Sequence, residues 1–122
     1  MRDQSLEATT PQSTFPVEDL QFAMAWSRLA PGWGGWQASL SEMATGEIVE
    51  VTPPGAEFPL FYILPRASSV EVIRERVMEV GGGQVSVATV PTLRDAVLLL
   101  CPLGPDALAQ AGQAVTRELF SV

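Results

Sequence analysis

The stretch that decides the fold is residues 95–103, Asp-Ala-Val-Leu-Leu-Leu-Cys-Pro-Leu, the longest nearly continuous apolar run in the chain. Such a run is too short to cross a membrane, and its lack of polar alternation predicts a strand covered on both faces, central in a sheet. Pro102 cannot donate a hydrogen bond to a neighbouring strand, and Gly-Pro-Asp at 104–106 is typical of a helix start. The sequence therefore predicts a central strand followed by a final helix, Pro105–Phe120.

The segments before this run predict a helix and a further strand. Ser68 and Glu71 have the spacing of a capping box, and Gly81 suits the end of a helix, so residues 68–80 are predicted to be helical. Four apolar residues recur at helical spacing in this segment: Val70, Ile73, Val77 and Val80. Residues 84–90 alternate as a strand and are expected to form a hairpin with residues 95–103.

The first half of the chain predicts a helix and three strands. Residues 1–14 are polar without apolar periodicity and are expected to form a flexible tail. Residues 17–30 predict a helix that is apolar on almost every side, so it is expected to lie in the core or at an interface. Apolar and polar residues alternate from Trp36 to Val51 around a turn, which indicates a hairpin, and residues 58–64 predict a third strand.

These elements give an α+β domain over residues 15–122, with a five-stranded antiparallel sheet and three helices in the order α-βββ-α-ββ-α. The chain of 122 residues is long enough to bury one core without a disulfide or a structural metal. It contains a single cysteine and no signal-peptide pattern, so a cytoplasmic location is expected.

The composition excludes several classes of function. A net charge of −7 argues against nucleic acid and anionic membranes as partners, and no membrane insertion is expected. The chain has no His, Lys or Asn, which excludes Ser-His-Asp and Cys-His catalysis, Schiff-base chemistry and imidazole metal sites. We therefore expect no catalytic residues, no metal and no cofactor, and predict that the protein is not an enzyme.

Two isolated features were considered as ligand or reactive sites. Trp33 and Trp36 lie on a glycine-rich loop and could stack on a sugar ring or a peptide, although a core position for one of them is the more common outcome. Cys101 is expected to be a buried, protonated and inert thiol in the central strand.

The predicted element order resembles the small acidic chaperones of bacterial type III secretion. The resemblance covers roughly residues 16–120 and rests on element order, size and acidity, with residues 96–120 the most similar part. It implies a homodimer without enzymatic activity that holds the amino-terminal segment of a secreted client protein in an extended form.

The resemblance also implies where the interfaces lie. The client surface would be formed by the first helix and the hairpin, through Val17, Leu20, Met24, Trp36, Leu40, Val49 and Val51. The dimer interface would be formed by the middle helix, through Val70, Ile73, Val77 and Val80.

Two alternatives stay open. The first helix and hairpin also resemble a dimeric regulatory or scaffold subunit of the roadblock type, but that family has two strands before the middle helix. Three strands before Ser68 would favour the chaperone order. A small-molecule-binding or enzymatic subunit would have to use Tyr62, Arg66 and Glu57, which the spacing does not bring together.

Overall fold

The computed structural model describes residues 14–30, 35–43, 46–75 and 83–120, with the backbone alone at 114 and 116–120. Its elements are α1 (Val17–Leu29), β1 (Gln37–Met43), β2 (Gly46–Thr52), β3 (Phe61–Pro65), β4 (Val70–Glu75), β5 (Gln84–Val90), α2 (Leu93–Leu100) and α3 (Pro105–Phe120). The α+β class, the five antiparallel strands and the three helices are confirmed. The predicted tail, apart from Thr14, lies outside the described residues.

The helix α1 forms where the sequence predicts it. Pro16 stands just before its first residue, and Glu18 and Asp19 place negative charge in the first turn, where the helix dipole favours it. Phe22 and Trp26 are almost completely buried. Apolar side chains on several sides of α1 are explained by its neighbours, because α1 packs against β1, α2 and α3 at once.

The sheet is an antiparallel meander in the order β1-β2-β3-β4-β5, so each strand pairs with the next one along the chain. The predicted first hairpin is confirmed, with a register that runs from Gln37 opposite Thr52 to Met43 opposite Gly46. Between β2 and β3 the chain turns at residues 53–56, where the Ala56 amide donates to the Pro53 carbonyl at 3.1 Å. Gly55 adopts a positive φ of 83° in this turn, a conformation that glycine adopts without steric cost.

The prediction of a helix at residues 68–80 is wrong for the part that the structure describes. Val70–Glu75 is strand β4, paired with β3 on one side and β5 on the other. Val70 and Val72 face the core, and Glu71 and Ile73 point to the opposite side, which is the two-residue period of a strand. Val77, Val80 and Gly81 lie outside the described residues.

The prediction of a central strand at residues 95–103 is also wrong. Residues Leu93–Leu100 form α2, and Thr92 caps its start with a side chain that accepts a hydrogen bond from the Asp95 amide. Leu93, Ala96 and Val97 are buried at helical spacing, whereas Leu99 is half exposed. As a result β5 pairs with β4 and not with this run, and Cys101 lies at the end of a helix, only partly buried.

All three helices lie on one side of the sheet. The core contains Val49, Val51, Ile63 and Val72 from the sheet, packed under residues of α1 and α2. The helix α2 lies against β3, β4 and β5, while α1 lies against β1. Among the described elements, α3 contacts α1 alone and buries Ala111 and Val115. The domain therefore has a five-stranded sheet with α1 and α2 packed on one face, and α3 packed against α1.

Within the ranges that the structure describes, no helix is both long and apolar enough to cross a membrane.

Candidate functional site

The two faces of the sheet differ in what covers them. The face that carries Val49, Ile63 and Val72 is buried under α1 and α2. The opposite face, here called the open face, has no helix packed on it within the described residues. Its central side chains are Ser39, Ser41, Ile48, Glu50, Tyr62, Leu64, Glu71, Ile73, Glu75 and Ser86.

The strand register places one row of side chains straight across the middle of the open face. Ser39 is opposite Glu50, Glu50 opposite Tyr62, Tyr62 opposite Ile73, and Ile73 opposite Ser86. Directly opposed side chains on one face of a sheet stand about 5 Å apart and contact one another. Tyr62 is therefore at the centre of the face, on the central strand β3, with an acid on one side and an aliphatic side chain on the other.

Two carboxylates surround the Tyr62 phenol. Partial burial raises the pKa of Tyr62 above its ordinary value of 10.0, and the negative charges of Glu75 and then Glu50 raise this pKa further. A hydrogen bond between the phenol and Glu75 makes a smaller contribution to the same rise in pKa. The Glu75 carboxylate accepts a second, long hydrogen bond of 3.5 Å from Gln84 Nε2. These contacts make the centre of the open face electrostatically negative.

The third acid of the open face is neutralised within the domain. Glu71 Oε1 accepts a hydrogen bond from Arg66 Nε at 3.0 Å and a second one from Arg66 Nη2. The hydrogen bond from Arg66, followed by one from Ser86, lowers the pKa of Glu71. In contrast, no guanidinium among the described side chains forms an ion pair with Glu50 or Glu75.

The predicted client residues do not form one surface. Val49 and Val51 lie in the core with no exposed area, so they offer nothing to a partner in this conformation. Leu20 and Trp36 are partly buried against the core, and Met24 is partly buried on α1. Only Val17 and Leu40 expose a large fraction of their surface, 57% and 40% respectively.

The predicted dimer residues are divided between the two faces of the sheet. Val70 is 5% exposed and faces the helices, whereas Ile73 is on the open face. Val77 and Val80 lie outside the described residues. The helix that was expected to present these four residues together is not formed at 70–75.

The side chains considered for ligand binding are also separated. Tyr62 and Arg66 are four residues apart on an extended segment, a distance of about 13 Å, and Glu57 lies exposed in the connection between β2 and β3. Trp36 packs against Trp26 with ring centroids 5.3 Å apart, which is a core contact, and Trp33 is outside the described residues. Among the described residues no group of three or more acids or cysteines is arranged to hold a metal ion.

A small cleft lies at the end of the sheet where α1 and α2 begin. It has a volume of about 230 Å³ and is lined by residues such as Arg66, Ser68, Ser69 and Thr92. This volume is below the range of about 300–1,000 Å³ that is usual for ligand pockets. Its charged groups already have partners, because Arg66 binds Glu71 and Asp19 binds Arg94. We therefore regard the cleft as a junction between elements.

The acids of the open face were missed at the level of sequence. In the sequence, Glu50 alternates with apolar residues of the first hairpin, and Glu75 falls within the segment 68–80 that is predicted to be helical, so nothing in the local pattern brings the two together. The available signal was the alternation of Val70, Glu71 and Val72, which would have placed a strand beside β3 and brought Glu75 near Tyr62.

Comparisons of the chain with protein-family models, with curated proteins and with solved structures return no match.

Proposed function

We propose that this protein is a non-enzymatic binding module that docks a segment of another protein on the open face of its sheet. The observation that carries the proposal is the composition of this face. Aliphatic groups at Ile48, Leu64 and Ile73 are only partly buried, and they surround two carboxylates that have no cation among the described residues. A partner would bury the apolar groups and compensate the charge.

The size of the open face fits a segment better than a whole domain. Strands of five to seven residues, spaced about 4.8 Å apart, give a face of roughly 20 by 20 Å. A standard interface between two proteins buries about 800 Å² on each partner, which is more than a face of this size offers alone. An extended segment of about six residues or a helix of about thirteen residues matches its length.

A role as a secretion chaperone is one form of this proposal, with a homodimer in the bacterial cytoplasm and a client held by its amino-terminal segment. Three strands precede Ser68, which favours the chaperone order over a roadblock-like scaffold subunit. Strand β4 at residues 70–75 departs from the order on which the resemblance rests. For this reason we base the proposal on the open face and not on the element order.

A non-enzymatic role is favoured by the chemistry of the chain. It contains no His and no Lys, and Tyr62, Arg66 and Glu57 lie on different parts of the structure. An enzymatic subunit would need these groups to converge on a substrate.

A selection from a random peptide library displayed on phage, with the folded protein as bait, tests the docking surface. We expect selected peptides to shift the backbone amide resonances of β2, β3 and β4. The substitution Ile73→Arg should weaken their binding at least tenfold, because it places a charge in the apolar part of the open face.

Leu99→Arg is the matched control. Leu99 is a half-exposed apolar residue of α2, on the other side of the domain, so this substitution should leave the affinity within about twofold. Circular dichroism and urea unfolding establish that both variants fold. Peptides that bind the helices instead, or that respond to Leu99→Arg and not to Ile73→Arg, would contradict the proposal.

A further inference from the structure

The open face has a chemical preference that follows from the position of its acids. Glu50 on β2 and Glu75 on β4 lie on either side of Tyr62 on β3. Glu50 stands opposite Tyr62, whereas Glu75 lies two residues beyond Ile73, the residue opposite Tyr62. The two acids are therefore separated by two strand spacings, about 10 Å, and by about 7 Å along the strands, or roughly 12 Å in all, so a positive group midway between them lies about 6 Å from each. This geometry suits a single cation that is shared by two acids.

The domain does not provide that cation from its described side chains. Arg66 is engaged with Glu71, and Arg94 with Asp19. Arg74 is paired in register with Phe61 and Val85, on the helix-covered side of the sheet. Arg28 lies at the exposed end of α1. Among the described side chains no cation pairs with Glu50 or Glu75, so a cation from a partner can neutralise these acids.

The surroundings of the acids determine what kind of cation fits. Tyr62 places an aromatic ring at the centre of the open face, and a cation over such a ring gains about 0.5–1 kcal/mol at exposed sites. Ile73 stands directly opposite Tyr62, and Leu64 lies two residues further along β3 on the same face. An arginine or lysine side chain can place its methylene groups on such aliphatic neighbours and its charged end between the carboxylates.

We infer that the segment docked on the open face carries an arginine or lysine side chain, flanked by apolar residues, that lies over Tyr62 between Glu50 and Glu75. This inference rests on the proposed docking function and adds the chemistry of the partner. A second copy of this chain is a poor occupant of the open face, because it would set the same two acids, Glu50 and Glu75, against each other. The partner segment is basic and amphipathic.

The same peptide selection tests the inference when it is repeated with the double variant Glu50→Gln/Glu75→Gln. Peptides selected on the unaltered protein should be enriched in Arg or Lys next to apolar residues, and the double variant should remove the enrichment. For one selected peptide, the double variant should weaken binding roughly three- to tenfold, since each partly exposed ion pair contributes up to about 1 kcal/mol.

Two controls isolate the charge. Glu57→Gln removes an exposed acid outside the open face and should leave the affinity unchanged. A synthetic peptide in which citrulline replaces arginine keeps the shape and loses the charge, so it should bind weakly and be insensitive to Glu50→Gln/Glu75→Gln.

The outcomes separate the inference from the function on which it rests. Peptides that bind the open face without Arg or Lys, or whose affinity does not change in the double variant, would overturn the inference and leave the docking function standing. If selected peptides bind elsewhere on the domain, both fail.

Discussion

The ion pair between Asp19 and Arg94 joins α1 to α2, and its two partners should respond unequally to mutation. Asp19 Oδ1 and Arg94 Nε are 3.0 Å apart, but the side chain of Asp19 is 11% exposed whereas that of Arg94 is 40% exposed. The Arg94 guanidinium also lies 5.2 Å from the centre of the Phe22 ring. Removal of the cation leaves a nearly buried carboxylate without its partner, while removal of the acid leaves a cation that water can solvate.

The magnitudes follow from this difference in burial. The direct attraction at 3.0 Å is about 5 kcal/mol at an effective dielectric constant of about 20, and most of it is offset by desolvation of the two groups. We expect Arg94→Met to lower the free energy of unfolding by about 2–3 kcal/mol. Asp19→Asn should lower it by about 1 kcal/mol, and the double variant should show a coupling energy of about 1–2 kcal/mol.

The assay is urea unfolding followed by far-ultraviolet circular dichroism, with the slope of the transition compared among variants. Arg28→Met is the matched control, because it removes an exposed arginine of α1 and should change the free energy of unfolding by less than about 0.5 kcal/mol. The reasoning is refuted if Asp19→Asn costs as much as Arg94→Met, or if the two single effects add without coupling.

Four further predictions concern Tyr62, Trp26 and Thr92. Tyr62 is the only tyrosine, so absorbance near 295 nm reports its ionisation alone: Glu75→Gln should lower its pKa toward 10.0, and Glu50→Gln should lower it by less. Because the pKa of folded Tyr62 is raised, unfolding titrations should show its stabilising contribution intact below pH 10.0 and lost as the pH rises through the folded pKa; a flat profile would contradict this. Trp26→Phe removes a fully buried donor at 2.9 Å from the carbonyl oxygen that ends α2, and we expect urea unfolding to show a loss of about 2–3 kcal/mol. Thr92→Ala removes the cap of α2 and should cost about 1 kcal/mol in the same assay, whereas Thr92→Ser should restore most of it.

The sequence correctly predicts those elements whose local patterns, such as helix-start residues or strict alternation, agree with the contacts they make in the folded domain. The helix α1 has acids in its first turn, and the first hairpin alternates strictly, so both lie where expected. The third strand begins three residues later than predicted, because Phe58 and Pro59 belong to the connection, and Phe58 is 71% exposed.

Two segments have the opposite secondary structure from the one predicted: residues 70–75 form a strand and residues 93–100 form a helix. In both segments the apolar pattern fits either structure. At residues 70–75, Val70 and Ile73 have helical spacing, but Val72 completes a strand pattern, and pairing of Val72 with Ile63 on β3 decides the outcome. At 93–100 a short apolar run is compatible with a buried strand or a buried helix. The cap formed by Thr92 and Asp95, which was overlooked, favours the helix.

The candidate site could be predicted only in part. From the sequence, Tyr62 is predicted to take part only in the ligand-binding or enzymatic alternative, together with Arg66 and Glu57. The convergence of Glu50 and Glu75 on it depends on the pairing of three strands, and a shift by one residue would turn the acids to the other face. Register of this kind is set by long-range contacts, which local sequence patterns do not contain.

The packing of α3 against α1 has a consequence for how the domain opens. Among the described elements α3 contacts α1 alone, and its interior contains Gly112, which lowers helix propensity by about 1 kcal/mol relative to alanine. We expect α3 to behave as a separate cooperative unit whose amide protons exchange with solvent faster than those of β2, β3 and β4. Its transient release would uncover Ala111 and Val115 together with the side of α1 that packs against α3.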